Sequence, residues 1–266
     1  MIKIKKKIKN VLKRIIFSYF LTTFLERIIF QPFYKTIRLF SNISRLRNTL
    51  WTDWHSEFFE TWALNRNKNL YNESLNFYLE FNENRKKILF GLPISGGNIK
   101  TNVGGGGGNE ILLYFLTRMI KAKKVLETGV SAGSSSRTIL EALKDNGGGK
   151  LYSSDLATAL EQSQVGILVG DTLRGNWSLF ENGDLENIPK IYEEESNFDI
   201  IYYDSDKSYL SKKWFHKEIL KNKLPKILVY DDIDRDSFFP ECVKTYGYKF
   251  KVFGSAGVIF FSENYS

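Results

Sequence analysis

Residues 124–136, KVLETGVSAGSSS, constrain the fold of this chain more than any other stretch. A short apolar run (124–128) meets Gly129, then Gly133, then three serines. Beyond them Ile139, Leu140 and Leu143 fall on one side of a helix expected over 138–144. A strand that turns through small residues into a helix places backbone N–H groups and a positive helix end beside whatever binds there. Glycine is needed where the chain takes a positive φ or comes close to another group. Glu127 lies two residues before the first glycine. That is the carboxyl end of the strand, the edge at which open α/β sheets bind ligands.

The glycine spacing separates ligand classes. A dinucleotide fingerprint has G-x-G-x-x-G, whereas here Gly129, Ser131 and Gly133 alternate and position 134 is serine. Read alone, the segment fits a ligand-binding turn or an ordinary strand–turn–helix corner. A NAD-binding Rossmann oxidoreductase and a non-catalytic, membrane-associated nucleotide-binding protein both stay open. The pattern E-x-G-x-S-x-G resembles the first motif of class I S-adenosylmethionine (SAM)-dependent methyltransferases, with Ser131 at the middle glycine.

Further strands are expected at 150–154, 177–181, 198–203 and 226–230, with helices between. A hairpin is expected from 248–253 and 257–261, turning at 254–256. Alternating strands and helices predict an α/β, Rossmann-like fold. Its sheet is seven-stranded and mostly parallel, with a C-terminal antiparallel hairpin, as in the methyltransferase fold. Three regions follow: a basic amphipathic arm (1–40), a helical region with a glycine-rich loop (41–103), and a SAM-binding domain (104–266). The five glycines Gly104–Gly108 suit a flexible linker or a flap beside the cofactor.

Two acidic segments carry the chemistry, FDIIYYDSDKSY (198–209) and ILVYDDID (227–234). Asp204, Asp206, Asp231 and Asp232 all fall just past expected strand ends. Converging carboxylates repel one another unless a cation lies among them, and an all-oxygen set favours a hard ion, magnesium or calcium. Each Asp taken singly also fits a helix cap. With two histidines and one cysteine in the chain, a zinc site is not expected and an internal disulfide is impossible.

These segments resemble the metal-dependent O-methyltransferases of the catechol and caffeoyl-CoA kind, and a bacterial cephalosporin-hydroxylase-like group. The resemblance covers about residues 104–262. It implies Mg2+ ligands at Asp204, Asp231 and Asp232, and a catalytic lysine at Lys207 working beside Asp204. The bacterial group has D-x-D-H-S-Y where this chain has Asp204-Ser205-Asp206-Lys207-Ser208-Tyr209, so lysine replaces histidine. For SAM it implies that Glu127 meets the methionine amino group and that the turn with Gly129, Ser131, Gly133 and Ser134 approaches the methionine part. Asp155, about 20 positions after the glycine turn, suits the ribose; Asp184 is expected near adenine, and Asp204 is expected among the cofactor-binding residues as well as the metal ligands. The expected activity is O-methylation of a small molecule or a sugar or glycolipid precursor.

Charge is unevenly distributed. Residues 1–50 hold 12 of the 38 Lys and Arg but one of the 30 Asp and Glu, a net +11, which leaves −3 for the rest. In residues 1–30, Ile4, Ile8, Val11, Leu12, Ile15 and Ile16 recur at helical spacing among lysines. This is the pattern of a basic amphipathic helix lying on an anionic membrane. The uncharged run 15–25 is too short to span a bilayer, which takes about 20 residues. The stripe also fits packing on the body or a signal peptide, although no small-residue cleavage site follows it. No nucleic-acid motif is present, and a cytoplasmic protein, peripheral at the inner face of the membrane, is expected.

Overall fold

The structure, a computed structural model, describes residues 44–90, 109–156 and 164–262. The expected arm helix and the glycine run lie outside these residues. The chain divides into two compact units, 1–47 and 48–266; the second contains the sheet. Among the described residues no helix is long and apolar enough to cross a membrane.

Seven strands form one sheet: β1 (Lys124–Thr128), β2 (Lys150–Ser154), β3 (Trp177–Phe180), β4 (Ile200–Tyr203), β5 (Ile227–Tyr230), β6 (Lys249–Phe253) and β7 (Ala256–Phe260), in the order β3-β2-β1-β4-β5-β7-β6. The first five run parallel, and β7 is antiparallel to both β5 and β6. β4 (IIYY) and β5 (ILVY) are buried throughout, as parallel strands covered on both faces must be. Alternate residues serve opposite faces. Val125, Ile200 and Ile227 join one core with Leu113, Ile139 and Leu140; Leu126, Ile201 and Leu228 join another with Ile188, Phe215 and Phe239. Strand order reverses between β1 and β4, which opens a crevice at the carboxyl ends of these two strands.

Helices α2 (Glu110–Met119) and α3 (Ser134–Asp145) pack on the first face. The short α4 (Asp171–Arg174) precedes β3, and α5 (Asp184–Glu194), α6 (Tyr209–Leu220) and α7 (Phe238–Tyr246) follow β3, β4 and β5. Ahead of them runs α1 (Phe59–Phe90), two helices joined at Asn67, whose backbone is non-helical. The Asn67 side chain accepts the Leu70 N–H (3.0 Å) and so caps the second helix. Ala63, Leu70 and Tyr71 of α1 pack with Phe115 of α2. At the far end of α1, Arg85 pairs with Glu110 (2.8 Å) and donates to Ser134 Oγ (3.0 Å), fixing α1 to the starts of α2 and α3.

Two expected boundaries shift. α3 begins at Ser134 instead of residue 138, because the serines form its first turn. In the β6–β7 hairpin Ala256 pairs with Phe253, so the turn is Gly254–Ser255 alone.

Candidate active site

The turn after β1 explains its own sequence. Gly129, Ser131 and Gly133 have φ of 79°, 51° and 90°. A Cβ on Gly129 would lie 2.6 Å from the Asp204 carbonyl oxygen, and one on Gly133 would lie 2.8 Å from the Gly166 Cα. The turn therefore packs directly on the end of β4. Ser131 holds the left-handed conformation that glycine adopts freely, at a cost of roughly 1–2 kcal/mol. Its N–H donates to Asp155 Oδ2 (2.8 Å) and its carbonyl accepts the Gly166 N–H (2.8 Å), which hold it in place.

Asp155 Oδ2 also accepts the Val130 N–H (2.6 Å). Two N–H groups of the turn thus serve one of the protein's own carboxylates. A pyrophosphate, which a dinucleotide places against such a turn, would have to displace it.

Glu127 is fully buried at the end of β1. Its Oε2 accepts from Ser136 Oγ (2.6 Å) and Ser153 Oγ (2.7 Å), while Oε1 is buried without a partner. Burial pushes this carboxyl above its usual range, against the pull of the serine hydroxyls. A buried carboxylate oxygen with no donor is a costly arrangement. It suits a ligand that brings a cationic N–H donor, as the amino group of SAM does.

Asp184 opens α5. Its Oδ1 accepts from Ser154 Oγ (2.6 Å) and its Oδ2 from Ser205 Oγ, and burial pushes its carboxyl up. Both oxygens are thus drawn inward, between the ends of β2 and β4.

The acidic cluster lies directly beyond. Asp204, Asp231 and Asp232 follow β4 and β5, are each partly buried, and bring one carboxylate oxygen apiece to within 4.8 Å of one another. They are the one such group of potential metal ligands among the described residues. The Asp204 N–H donates to the Thr128 carbonyl (3.0 Å), which ties the cluster to the end of β1. The Lys207 ammonium stands among the carboxylates. It pairs with Asp204, and lies 3.4 Å from Asp232 Oδ2 and 3.8 Å from Asp231 Oδ2. Burial holds the lysine below its ordinary pKa even though the aspartates pull it upward. Three half-buried carboxylates at this spacing fit a hard divalent cation.

Asp206 does not join them. It accepts the Ser208 N–H (2.9 Å) and Ser211 Oγ (2.7 Å) at the start of α6, so here the capping reading of an aspartate holds.

Several contributing residues carry no sequence signal of their own. Asn109, directly after the glycine run, donates to Asp231 Oδ1 (3.0 Å). The buried Asn187 donates to Ser154 Oγ (3.0 Å) and the Phe180 carbonyl (2.8 Å), joining the ends of β2 and β3. Ser136 and Ser153 donate to Oε2 of the buried Glu127, and Ser154 and Ser205 donate to the partly buried Asp184. Their common signal is a hydroxyl or amide beside a strand end, which is too frequent to select them.

Residues 126–233 match the family model of a methyltransferase domain. No curated protein matches the chain. Among solved structures, the S-adenosylhomocysteine (SAH)-bound methyltransferase PaMTH1 of Podospora anserina aligns over 69% of this chain and 88% of its own, at 15% identity and a TM-score of 0.52. That likeness is one of fold. The SAH complex of the Bacillus cereus O-methyltransferase aligns at 16% identity over 72% and 90% of the two chains (TM-score 0.44). The SAM complex of TomG, a Streptomyces achromogenes O-methyltransferase of tomaymycin synthesis, does so at 16% over 73% and 90% (TM-score 0.45).

Proposed function

We propose that the chain, whose residues 126–233 match the family model of a methyltransferase domain, moves the methyl group of SAM to a hydroxyl oxygen, with a divalent cation, Mg2+, held by Asp204, Asp231 and Asp232. The observation that carries this reading is the adjacency of two unlike groups. The partnerless oxygen of Glu127 lies at the end of β1, and the acidic cluster with Lys207 lies at the ends of β4 and β5, with Gly129 packed on Asp204 between them.

Each residue has a physical task. Glu127 Oε1 accepts from the methionine amino group. Asp155 presents its carboxylate to the ribose, and the Gly129–Gly133 turn shapes the methionine end. Asp184, held by Ser154 and Ser205, sets the wall toward adenine. Methyl transfer from a sulfonium needs the acceptor oxygen in line with the methyl group, so positioning supplies much of the rate. A bound cation would neutralise the carboxylates and lower the pKa of an acceptor hydroxyl. Lys207, its pKa depressed by burial, accepts the proton of that hydroxyl. Calorimetric titration with SAM and with NAD, then methyl transfer with Mg2+ and with EDTA, tests the reading. SAM binding and EDTA-sensitive transfer are expected; binding of NAD alone would refute it.

The acceptor is proposed to be a small molecule or a sugar or glycolipid precursor met at the cytoplasmic face of an anionic membrane. The +11 charge of residues 1–50 supports this. So does the exposure of Leu50, Trp54 and Phe58 (60%, 86% and 85%) on the segment that follows the arm, because aromatic side chains favour the membrane interface. Sedimentation with anionic liposomes is expected for the full chain and not for a chain lacking residues 1–40; equal sedimentation rejects the tether.

A further inference from the structure

Lys212, in α6, is completely buried although it is a lysine. Its ammonium donates to the Asp232 carbonyl (2.9 Å) and pairs with Asp236 Oδ2 (2.9 Å). An apolar side chain would fill a core position of α6 without the desolvation that a buried ammonium suffers. Both partners lie on one loop, the loop that carries the acidic pair out of β5.

That loop is strained where the ammonium meets it. Asp232 has a φ of 50°, the left-handed region that non-glycine residues avoid. Its carbonyl, turned inward, accepts from Lys212 Nζ and from the Arg235 N–H (3.3 Å). Four residues on, the carboxylate that pairs with Lys212 also accepts the Phe238 N–H (2.7 Å) and so starts α7. One ammonium therefore closes the loop from beneath at residues 232 and 236. Released from it, the Asp232 backbone would relax toward negative φ, and both carboxylates of the pair would swing relative to Asp204 and Lys207.

We infer that Lys212 is a positioning residue of the active site: its buried ammonium holds the left-handed turn at Asp232 and thereby aims Asp231 and Asp232 at Asp204. The consequence for metal affinity rests on the cation reading above; the consequence for the loop does not. The test uses the full chain with Lys212→Met, which keeps the buried stem and removes the charge, and Lys212→Arg, which keeps the charge. Titration with Mn2+ and with SAM is paired with hydrogen exchange of the amides of residues 232–236. Lys212→Met is expected to weaken Mn2+ binding at least tenfold, to change SAM affinity less than twofold, and to speed exchange in that loop at least tenfold. Lys212→Arg is expected to recover most of both losses. A folded Lys212→Met chain with wild-type exchange and wild-type Mn2+ affinity overturns the inference. If the wild-type chain binds no Mn2+, the cation reading fails by itself, and loop exchange alone decides on Lys212, faster exchange supporting it and unchanged exchange overturning it. Should Lys212→Met not fold, Asp236→Asn takes its place, since its amide oxygen can still cap Phe238. At least threefold faster loop exchange is then expected, and wild-type exchange overturns the inference.

Discussion

At the end of β1, Glu127 is wholly buried, meets neutral hydroxyls, and keeps one oxygen without a donor. At the ends of β4 and β5, three carboxylates are only partly buried and share the Lys207 ammonium. Among the described residues no basic side chain pairs with Glu127, whereas the cluster has Lys207 built in, and Arg235 also pairs with Asp232 (3.2 Å). The difference indicates what each can receive. The cradle needs a ligand that brings its own positive N–H donor and is dry enough to make that contact strong. The cluster is wetter and already partly neutralised, so a bound cation there must compete with a lysine, and the lysine can exchange its ion pairs for a proton-transfer role.

The largest expected effects lie in the cluster. Lys207→Ala and Asp231→Ala should each lower turnover about a thousandfold, within the range removed with a positioned acid–base group, while SAM affinity stays within a few-fold. Methyl transfer at wild-type rates in both variants would dissolve the contrast between the regions, because chemistry would no longer belong to the cluster.

Glu127→Gln should show the opposite split. The amide keeps the shape but loses a charge-assisted hydrogen bond, worth about 1.5–3 kcal/mol, so SAM affinity should fall about 10- to 100-fold in calorimetry. Stability without ligand sharpens the point. Burial raises the carboxyl's pKa in the folded state, so the folded chain holds a proton that the unfolded chain releases above about pH 4.3. Wild-type stability relative to Glu127→Gln should therefore fall as pH rises through and above that value, by at most about 1.4 kcal/mol per pH unit. Paired denaturation curves check this, and saturating SAM should flatten the slope. A difference that grows in favour of wild type with rising pH would mean that the carboxylate is already satisfied.

Asn109→Ala is expected to be mildest. It removes one hydrogen bond to Asp231, worth about 1 kcal/mol, and should weaken Mn2+ binding about fivefold without altering SAM binding. An effect on SAM alone would assign Asn109 to the cradle.

These regions were unequally legible from sequence. Five apolar runs ending in small or acidic residues marked the parallel strands, because a sheet covered on both faces demands continuous apolar side chains. Glycines at 129 and 133 marked the turn because backbone crowding there excludes a Cβ. Glu127, Asp204, Asp231 and Asp232 could be picked out by their place at strand ends. Asp206 could not be sorted from them, since aspartate caps helices as readily as it lines a site, and only the fold shows it turned to Ser208 and Ser211. Asn109, Ser205 and Lys212 stayed silent because their partners lie far away in sequence. Asn109 reaches Asp231 across five intervening strands of sequence, and Lys212 is an ordinary surface residue type until α6 is seen to bury it. The family model of a methyltransferase domain spans residues 126–233 and so takes in the turn and the acidic pair alike.

Anomalous diffraction from crystals grown with SAH and Mn2+ tests the central claim most directly. One Mn2+ peak is expected bounded by Asp204, Asp231 and Asp232, with the amino group of SAH within hydrogen-bonding distance of Glu127 Oε1. Bound SAH lying away from Glu127, or a fully occupied cofactor with no Mn2+ at the three aspartates, would contradict it.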